Sequence, residues 1–306
     1  MKYKYYMADI FTHQVFSGAQ VAVFPDANGL NNQQMALVAR ELNLSETVFL
    51  FQGDGNNTSW RMKIFSPLGE MDYAGHPVVA AAYVLASTGR INKQEPYSSL
   101  EFIQNSGAMD ISVSWREDAP SFVQFSTKVS STVDYYTPTE AEIASFLGFD
   151  SSHIDQKKYQ TRLVSCGFPY LVVPLFYYET VRSAKFNYAA WSQSIAPQTA
   201  AQEILLFSPK TPNPDSDFSV RLVGPNIGLH DDPPVGTALS AFAAYLCSFD
   251  HLQKGTYVYA AERGEEKTRR SVINLEMDHK GADEFALRIG GEAVMTVEGV
   301  MDIPEL

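Results

Sequence analysis

The stretch Gly75-His76-Pro77-Val78-Val79-Ala80-Ala81-Ala82-Tyr83-Val84-Leu85 returns in altered form as Gly236-Thr237-Ala238-Leu239-Ser240-Ala241-Phe242-Ala243-Ala244-Tyr245-Leu246, with glycine, alanine and leucine recurring in register. The lead-ins match too: Phe65-Ser66-Pro67-Leu68-Gly69 precedes the first copy and Val223-Gly224-Pro225-Asn226-Ile227-Gly228 the second. A weaker echo pairs Ser17-Gly18 before Val21-Ala22-Val23 with Cys166-Gly167 before Leu171-Val172-Val173. Duplication of one α/β unit is the simplest account. Each repeated helix is apolar nearly all round, so it cannot lie on a surface and is expected inside a curling sheet. Only its N-terminal end is then open to chemistry. The unpaired amides and positive dipole end there suit an anion, and glycine permits close approach. Asp72 and His76 flank the first helix start; Asp231, Asp232 and Thr237 flank the second. Copies related by a pseudo-twofold would turn both starts toward one cleft.

Working outward, the chain has 306 residues, 45% hydrophobic and 19% charged. That is enough for a packed core and, at about 100–200 residues per domain, for two domains. Lys and Arg total 23 against 35 Asp and Glu, a net charge of −12, which argues against a protein that neutralises phosphate backbones. Nucleic acid is not an expected partner. The segment from Met1 to Asp9 lacks the apolar run of a secretory signal. The apolar stretches Val78 to Ala86 and Tyr170 to Val173 fall short of the roughly 18 residues of a membrane-spanning helix, so no membrane partner and a soluble cytoplasmic protein are expected. Cys166 and Cys247 lie in no C-x-x-C or Cys/His cluster and read as small buried hydrophobes, with no metal site in view.

Strands are expected from Tyr5 to Phe11 and Val21 to Phe24. Asn31 with Gln34 reads as a capping box opening a helix whose buried stripe is Met35, Val38, Ala39 and Leu42. The β-branched and aromatic run from Thr47 to Phe51 reads as a buried strand, which places Glu46 at a helix-to-strand corner. The best domain crossing is Ser126 to Tyr136, between the strand-like Phe122 to Phe125 and a helix start at Thr137-Pro138-Thr139-Glu140. There Thr137 is the expected cap and Pro138 the first helical residue, with Gly148 ending the helix.

Four polar side chains stand out. Glu46 precedes a strongly apolar strand, and a carboxylic acid drawn into apolar surroundings is equipped to exchange protons near neutral pH. The competing reading is an exposed loop acid. His76 either caps its helix or binds substrate and relays a proton. Asp232, before Pro233-Pro234, has a turn-forming alternative, and Thr237 a capping one. There is no G-x-S-x-G elbow, no G-x-x-x-x-G-K-[ST] loop and no G-x-G-x-x-G opening a helix. His13, His153, His230, His251 and His279 are scattered without ligand spacing, although His230 lies near the second helix start.

These residues resemble the phenazine-biosynthesis PhzF-like proteins, which have the diaminopimelate epimerase fold. The resemblance runs nearly the whole chain. It is carried by Asp9-Ile10-Phe11-Thr12, Gln34-Met35, Ala39-Arg40-Glu41-Leu42-Asn43-Leu44-Ser45-Glu46-Thr47, Phe65-Ser66-Pro67 with Gly69-Glu70, Ala74-Gly75-His76-Pro77, and Asp232-Pro233 with Gly236-Thr237-Ala238. It implies an α/β (α+β) fold of two similar domains, each a curved mixed sheet around a central helix. The expected division is residues 1–126 with a last strand at about 290–306, and residues 127–289, with the active-site cleft between them. The resemblance further implies a cofactor-free isomerase of a small carboxylate-bearing metabolite in which Glu46 moves a proton. His76 and Asp232 would bind the substrate's amine or hydroxyl or relay the proton, and Gly75, Gly236 and Thr237 would hold its carboxylate. A homodimer is compatible with it.

Epimerases of the wider fold use two thiols, at positions that are Ala74 and Val235 here, so epimerisation by that route is excluded. One carboxylate suits same-face transfer. The family's usual Gly-Asn-Pro is Gly18-Ala19-Gln20, and its Pro-Val-Thr-Gly-Ser is Pro233-Pro234-Val235-Gly236-Thr237; these departures line the expected cleft, so the family name does not fix the substrate. The alternative is a non-catalytic small-anion-binding or interaction protein on the same fold.

Overall fold

The computed structural model describes residues 1–53, 58–72, 75–227, 232–265, 269–280 and 284–305. Ala74, Gly228, His230 and Asp231, named above, lie outside them. The chain divides into two compact units, Met1–Thr127 with Glu265–Ile273 and Arg288–Leu306, and Lys128–Gly264 with Asn274–Leu287.

In the first unit, β1 (Lys2–Ile10) and β2 (Ala19–Phe24) form an antiparallel pair. Helix α1 (Asn32–Leu42) then carries the chain to β3 (Glu46–Gln52), parallel to β2. Strand β4 (Ser59–Ser66) returns antiparallel and continues through the short β5 (Gly69–Met71). Helix α2 (Pro77–Ser87) leads to β6 (Ser98–Gln104), parallel to β4, and β7 (Gly107–Arg116) and β8 (Ala119–Ser130) follow antiparallel.

The second unit repeats this order. After β9 (Thr132–Asp134) and α3 (Glu140–Leu147), β10 (Arg162–Ser165) and β11 (Pro169–Pro174) pair antiparallel. Helices α4 (Tyr178–Ser183) and α5 (Tyr188–Gln193) lie on the way to β12 (Glu203–Ser208), parallel to β11. Strand β13 (Phe218–Val223) returns antiparallel, and α6 (Ala238–Cys247) leads to β14 (Gly255–Arg263), parallel to β13. The remaining strands are β15 (Ser271–His279), β16 (Glu284–Gly291) and β17 (Ala293–Asp302). β17 crosses back to pair antiparallel with β1, as β9 pairs antiparallel with β10. The duplication thus extends from two helices to a shared order of strand pairings.

Helices α2 and α6 are the enclosed elements that their composition demands. Every residue of α2 except Tyr83 and Ser87 is buried, and every residue of α6 except Cys247. α2 packs on β1, β2, β3, β7 and β17, and α6 on β10 and β11. On the opposite face of the first sheet, Phe24, Phe49 and Phe65 join Met35 and Val38 of α1 in a second core. The rings of Phe24 and Phe49 stack at 5.0 Å, and Phe65 meets Phe49 edge-on at 5.7 Å. Burying such a side chain is worth about 1.5–3 kcal/mol. A one-residue slip of β3 would turn Phe49 out and Glu46 over, so these rings fix the face on which Glu46 lies.

The cap of α1 is as expected: Asn31 Oδ1 accepts from the Gln34 amide at 2.9 Å and Gln34 Oε1 from the Asn31 amide at 2.9 Å. For α3 the expected Thr137 cap is corrected to Thr139. The Glu142 carboxylate accepts from the Thr139 amide at 2.9 Å and, through its other oxygen, from the Ile195 amide at 2.9 Å. Only a cap at Thr139 puts Glu142 at the third helical position, and this tertiary bond is invisible to local sequence. Gly148 does end α3, at φ +74°. The expected crossing from Ser126 to Tyr136 is largely strand, occupied by the end of β8 and by β9.

Candidate active site

Glu46 stands at the first residue of β3 rather than in a loop, beside Val21 of β2 in the parallel register. It is 8% exposed, and His76 3%. Glu46 Oε2 lies 2.8 Å from His76 Nε2. His76 precedes α2 in helical backbone conformation, and its side chain makes no cap hydrogen bond. Pro77 follows it at the first helical position, where a missing N–H costs nothing. His76 Nδ1 is buried and has no hydrogen-bond partner among the described residues. With a carboxylate at Nε2, that nitrogen donates and Nδ1 is left to accept, donate or exchange a proton with whatever enters.

In the second unit Asp232 is engaged by two arginines rather than by a turn. Arg263 Nε lies 3.3 Å from its Oδ1 and Arg182 Nη1 3.6 Å from its Oδ2, while Arg263 also donates to the Asp232 backbone carbonyl. Arg182 is braced by donating to Ser219 Oγ at 3.0 Å and the Glu262 carbonyl at 3.4 Å. Thr237 likewise makes no side-chain cap on α6; its Oγ1 meets the hydroxyl of Tyr170 at 3.3 Å. Tyr170 is 4% exposed and burial pushes its phenol up, so it stays neutral, able to donate to or accept from Thr237. Gly75 and Gly236 are both buried, one residue before His76 and Thr237. Arg182, Arg263 and Tyr170 carried no local motif; their partners lie 50, 31 and 67 residues away along the sequence.

Glu46 is joined at its end of the first unit by the loop between β1 and β2. Asp9, fully buried, accepts from the Phe16 amide at 2.7 Å and pairs with Arg269, which also donates to the carbonyls of Ser17 at 2.9 Å and Gly18 at 3.1 Å. Gly18 has φ +66°, and a Cβ there would lie 2.2 Å from the Ile10 carbonyl oxygen, so only glycine fits. The cysteines are partly exposed rather than buried, and what burial they have pushes the thiols up to about 12 for Cys166 and about 11 for Cys247. Neither is a thiolate near neutral pH. Among the described residues no group of His, Cys, Asp and Glu is placed to hold a metal ion, and no helix is long and apolar enough to cross a membrane.

The family model for phenazine biosynthesis-like proteins, PhzC-PhzF, matches residues 8–299. The chain belongs to this family. An uncharacterized isomerase of Mesorhizobium japonicum is 32% identical over 98% of both chains. The trans-2,3-dihydro-3-hydroxyanthranilate isomerase of Pseudomonas aeruginosa is 38% identical over 87 residues, 28% of this chain and 30% of that one. Among solved structures, a PhzF-family protein of Bacillus anthracis superposes with a TM-score of 0.86 over 99% of this chain and 100% of that one, at 20% identity. The mixed α/β, epimerase-like architecture expected of a PhzF-family member is therefore the one the chain adopts.

Proposed function

We propose that this PhzF-family chain is an isomerase that moves a proton within a small carboxylate-bearing metabolite through Glu46, using no group beyond its own side chains and amides. The observation that carries the reading is the buried Glu46–His76 pair at 2.8 Å. A carboxylate held in one orientation by an imidazole can take a proton from an acidified C–H. The electrons of that bond shift into a new double bond, the old one opens, and a proton is delivered at its far carbon. One carboxyl can serve both steps on one face. His76 positions Glu46 and exchanges protons through Nδ1. Asp232 would receive the substrate's amine or hydroxyl, while the Gly75 and Gly236 amides and the Thr237 hydroxyl would hold its carboxylate.

The test is incubation with trans-2,3-dihydro-3-hydroxyanthranilate, the compound named for the Pseudomonas relative, in deuterated water. Deuterium uptake that falls at least about 100-fold in Glu46→Gln supports the isomerase. Binding without exchange, equal in wild type and Glu46→Gln, would instead indicate a small-anion-binding protein.

A further inference from the structure

The outer face of the second unit's sheet holds a cavity for which the isomerase reading has no use. Val223 of β13 belongs to the core formed with α3, α4 and α5, so by strand alternation Ser219 and Arg221 point to that side. Phe218 turns the other way, onto Phe242 of α6 at 5.1 Å. Arg221 closes the end of α4: its Nη1 donates to the carbonyls of Val181 at 3.2 Å, Arg182 at 2.5 Å and Ala184 at 3.0 Å. Beside it the chain leaves α4 through Lys185 and Phe186, while the chain after β13 runs through Gly224 to Ile227. These segments enclose a cavity of about 660 Å³, lined by residues of the second unit alone. Sites for small metabolites are concavities of roughly 300–1,000 Å³ with apolar walls and a few convergent polar groups.

The lining runs against the composition of the chain. The protein has a net charge of −12, yet Arg182, Lys185 and Arg221 line this cavity, and among the described residues no Asp or Glu does. Phe186, Val223 and Ile227 form an apolar wall. That wall is fixed from behind, since Val223 is buried and the Phe186 ring packs on Trp191 at 5.6 Å. Lys185 is exposed, and its ammonium makes no hydrogen bond or ion pair with a described residue. Cationic groups converging beside an apolar wall are complementary to an organic acid.

Arg182 ties the cavity to Asp232. Its Nη2 donates to Ser219 Oγ at 3.0 Å, while its Nη1 lies 3.6 Å from Asp232 Oδ2, beyond hydrogen-bonding distance. A second carboxylate arriving in the cavity would compete with Asp232 for this guanidinium.

We propose that the cavity binds a small organic acid, with its carboxylate drawn to Lys185, Arg221 and Arg182 and its apolar body against Phe186, Val223 and Ile227. Because Arg182 is shared, the acid and the Asp232–Arg182 contact oppose each other, and by linkage each weakens the other. Where Asp232 binds substrate, as proposed above, the acid is an effector of the isomerase. That consequence rests on the isomerase reading; the binding does not.

The experiment titrates benzoate into the full-length chain and follows assigned amide resonances. Saturable shifts are expected at Phe186 and Ile227, with affinity at least about 10-fold above that for acetate, which lacks the apolar body, and for benzyl alcohol, which lacks the charge. Lys185→Gln should weaken benzoate at least about 3-fold and Lys185→Glu further, both at an exposed position that the fold does not depend on. Asp232→Asn should tighten it at least about 3-fold by releasing Arg182. Shifts confined to the Gly75 and Gly236 amides, benzyl alcohol binding as well as benzoate, or an affinity unmoved by Lys185→Glu overturns the site. An affinity unmoved by Asp232→Asn overturns the sharing of Arg182. Deuterium exchange that survives Glu46→Gln removes the isomerase reading and leaves the titration standing.

Discussion

At the scale of single residues, Glu203 opens β12 as Glu46 opens β3, but Glu46 is buried and Glu203 only partly so. Glu203 is raised by desolvation. Its protonated form is favoured by folding, so its contribution to stability is fully present below the ordinary glutamate range and is lost as pH rises through the elevated folded value. Glu203→Gln should therefore melt like wild type near pH 4 and above wild type near pH 7.5, in scans at both pH values; a variant that gains nothing at the higher pH would contradict the assignment. For His76, removal of the ring leaves Glu46 without the group that orients it. His76→Asn is expected to lower the rate of deuterium exchange by about 10–100-fold with a smaller change in substrate affinity, resolved by measuring kcat and KM separately. The sequence made Glu46 and His76 visible because each sits beside a strong local pattern, an apolar strand and an apolar helix. It hid Arg182, Arg263 and Tyr170, whose meaning lies in partners brought to them by folding.

Elements were legible where the signal was contained in a few adjacent residues. Asn31 and Gln34 close their own capping box, so α1 could be read directly. At α3 two threonines compete within three residues, and the choice falls to the one whose glutamate also binds the Ile195 amide. Thr139→Ala should cost about 1 kcal/mol in urea unfolding, whereas Thr137→Ala should be close to neutral; the reverse order would restore the Thr137 cap. The β1–β2 loop is a stronger case, because Gly18 combines a left-handed backbone with a carbonyl 2.2 Å from where a side chain would begin. Gly18→Ala should lose about 2 kcal/mol or more, measured the same way, and should slow deuterium exchange by displacing the start of β2, against which Glu46 is registered.

For the molecule as a whole, the repeat of eleven residues announced a duplication, but not its extent. Strand pairing is a relation between distant segments, and periodicity within one segment says nothing about its neighbour. The matching sequence of antiparallel, parallel, antiparallel and parallel pairings in the two units supplies what the residues alone withheld. It also shows that the two helix starts diverged in chemistry while the surrounding frame stayed constant: histidine facing glutamate in one, threonine facing tyrosine in the other. A chain ending at Gly291 should lose hydrogen-exchange protection in β1 and bind a hydrophobic dye; retained protection would show that β17 is dispensable.

That last strand has a consequence for how the protein is made. Residues 2–10 of β1 find their partners at residues 293–302. At about 5–20 residues per second, β17 is synthesised roughly 15–60 s after β1, and through that interval one side of β1 has no mate. Every residue of the second unit is translated within the wait. A nascent chain with an open edge for that long is a natural client for factors at the ribosomal exit, and slowing translation ahead of the β17 codons would lengthen its vulnerability to aggregation without altering a single amino acid.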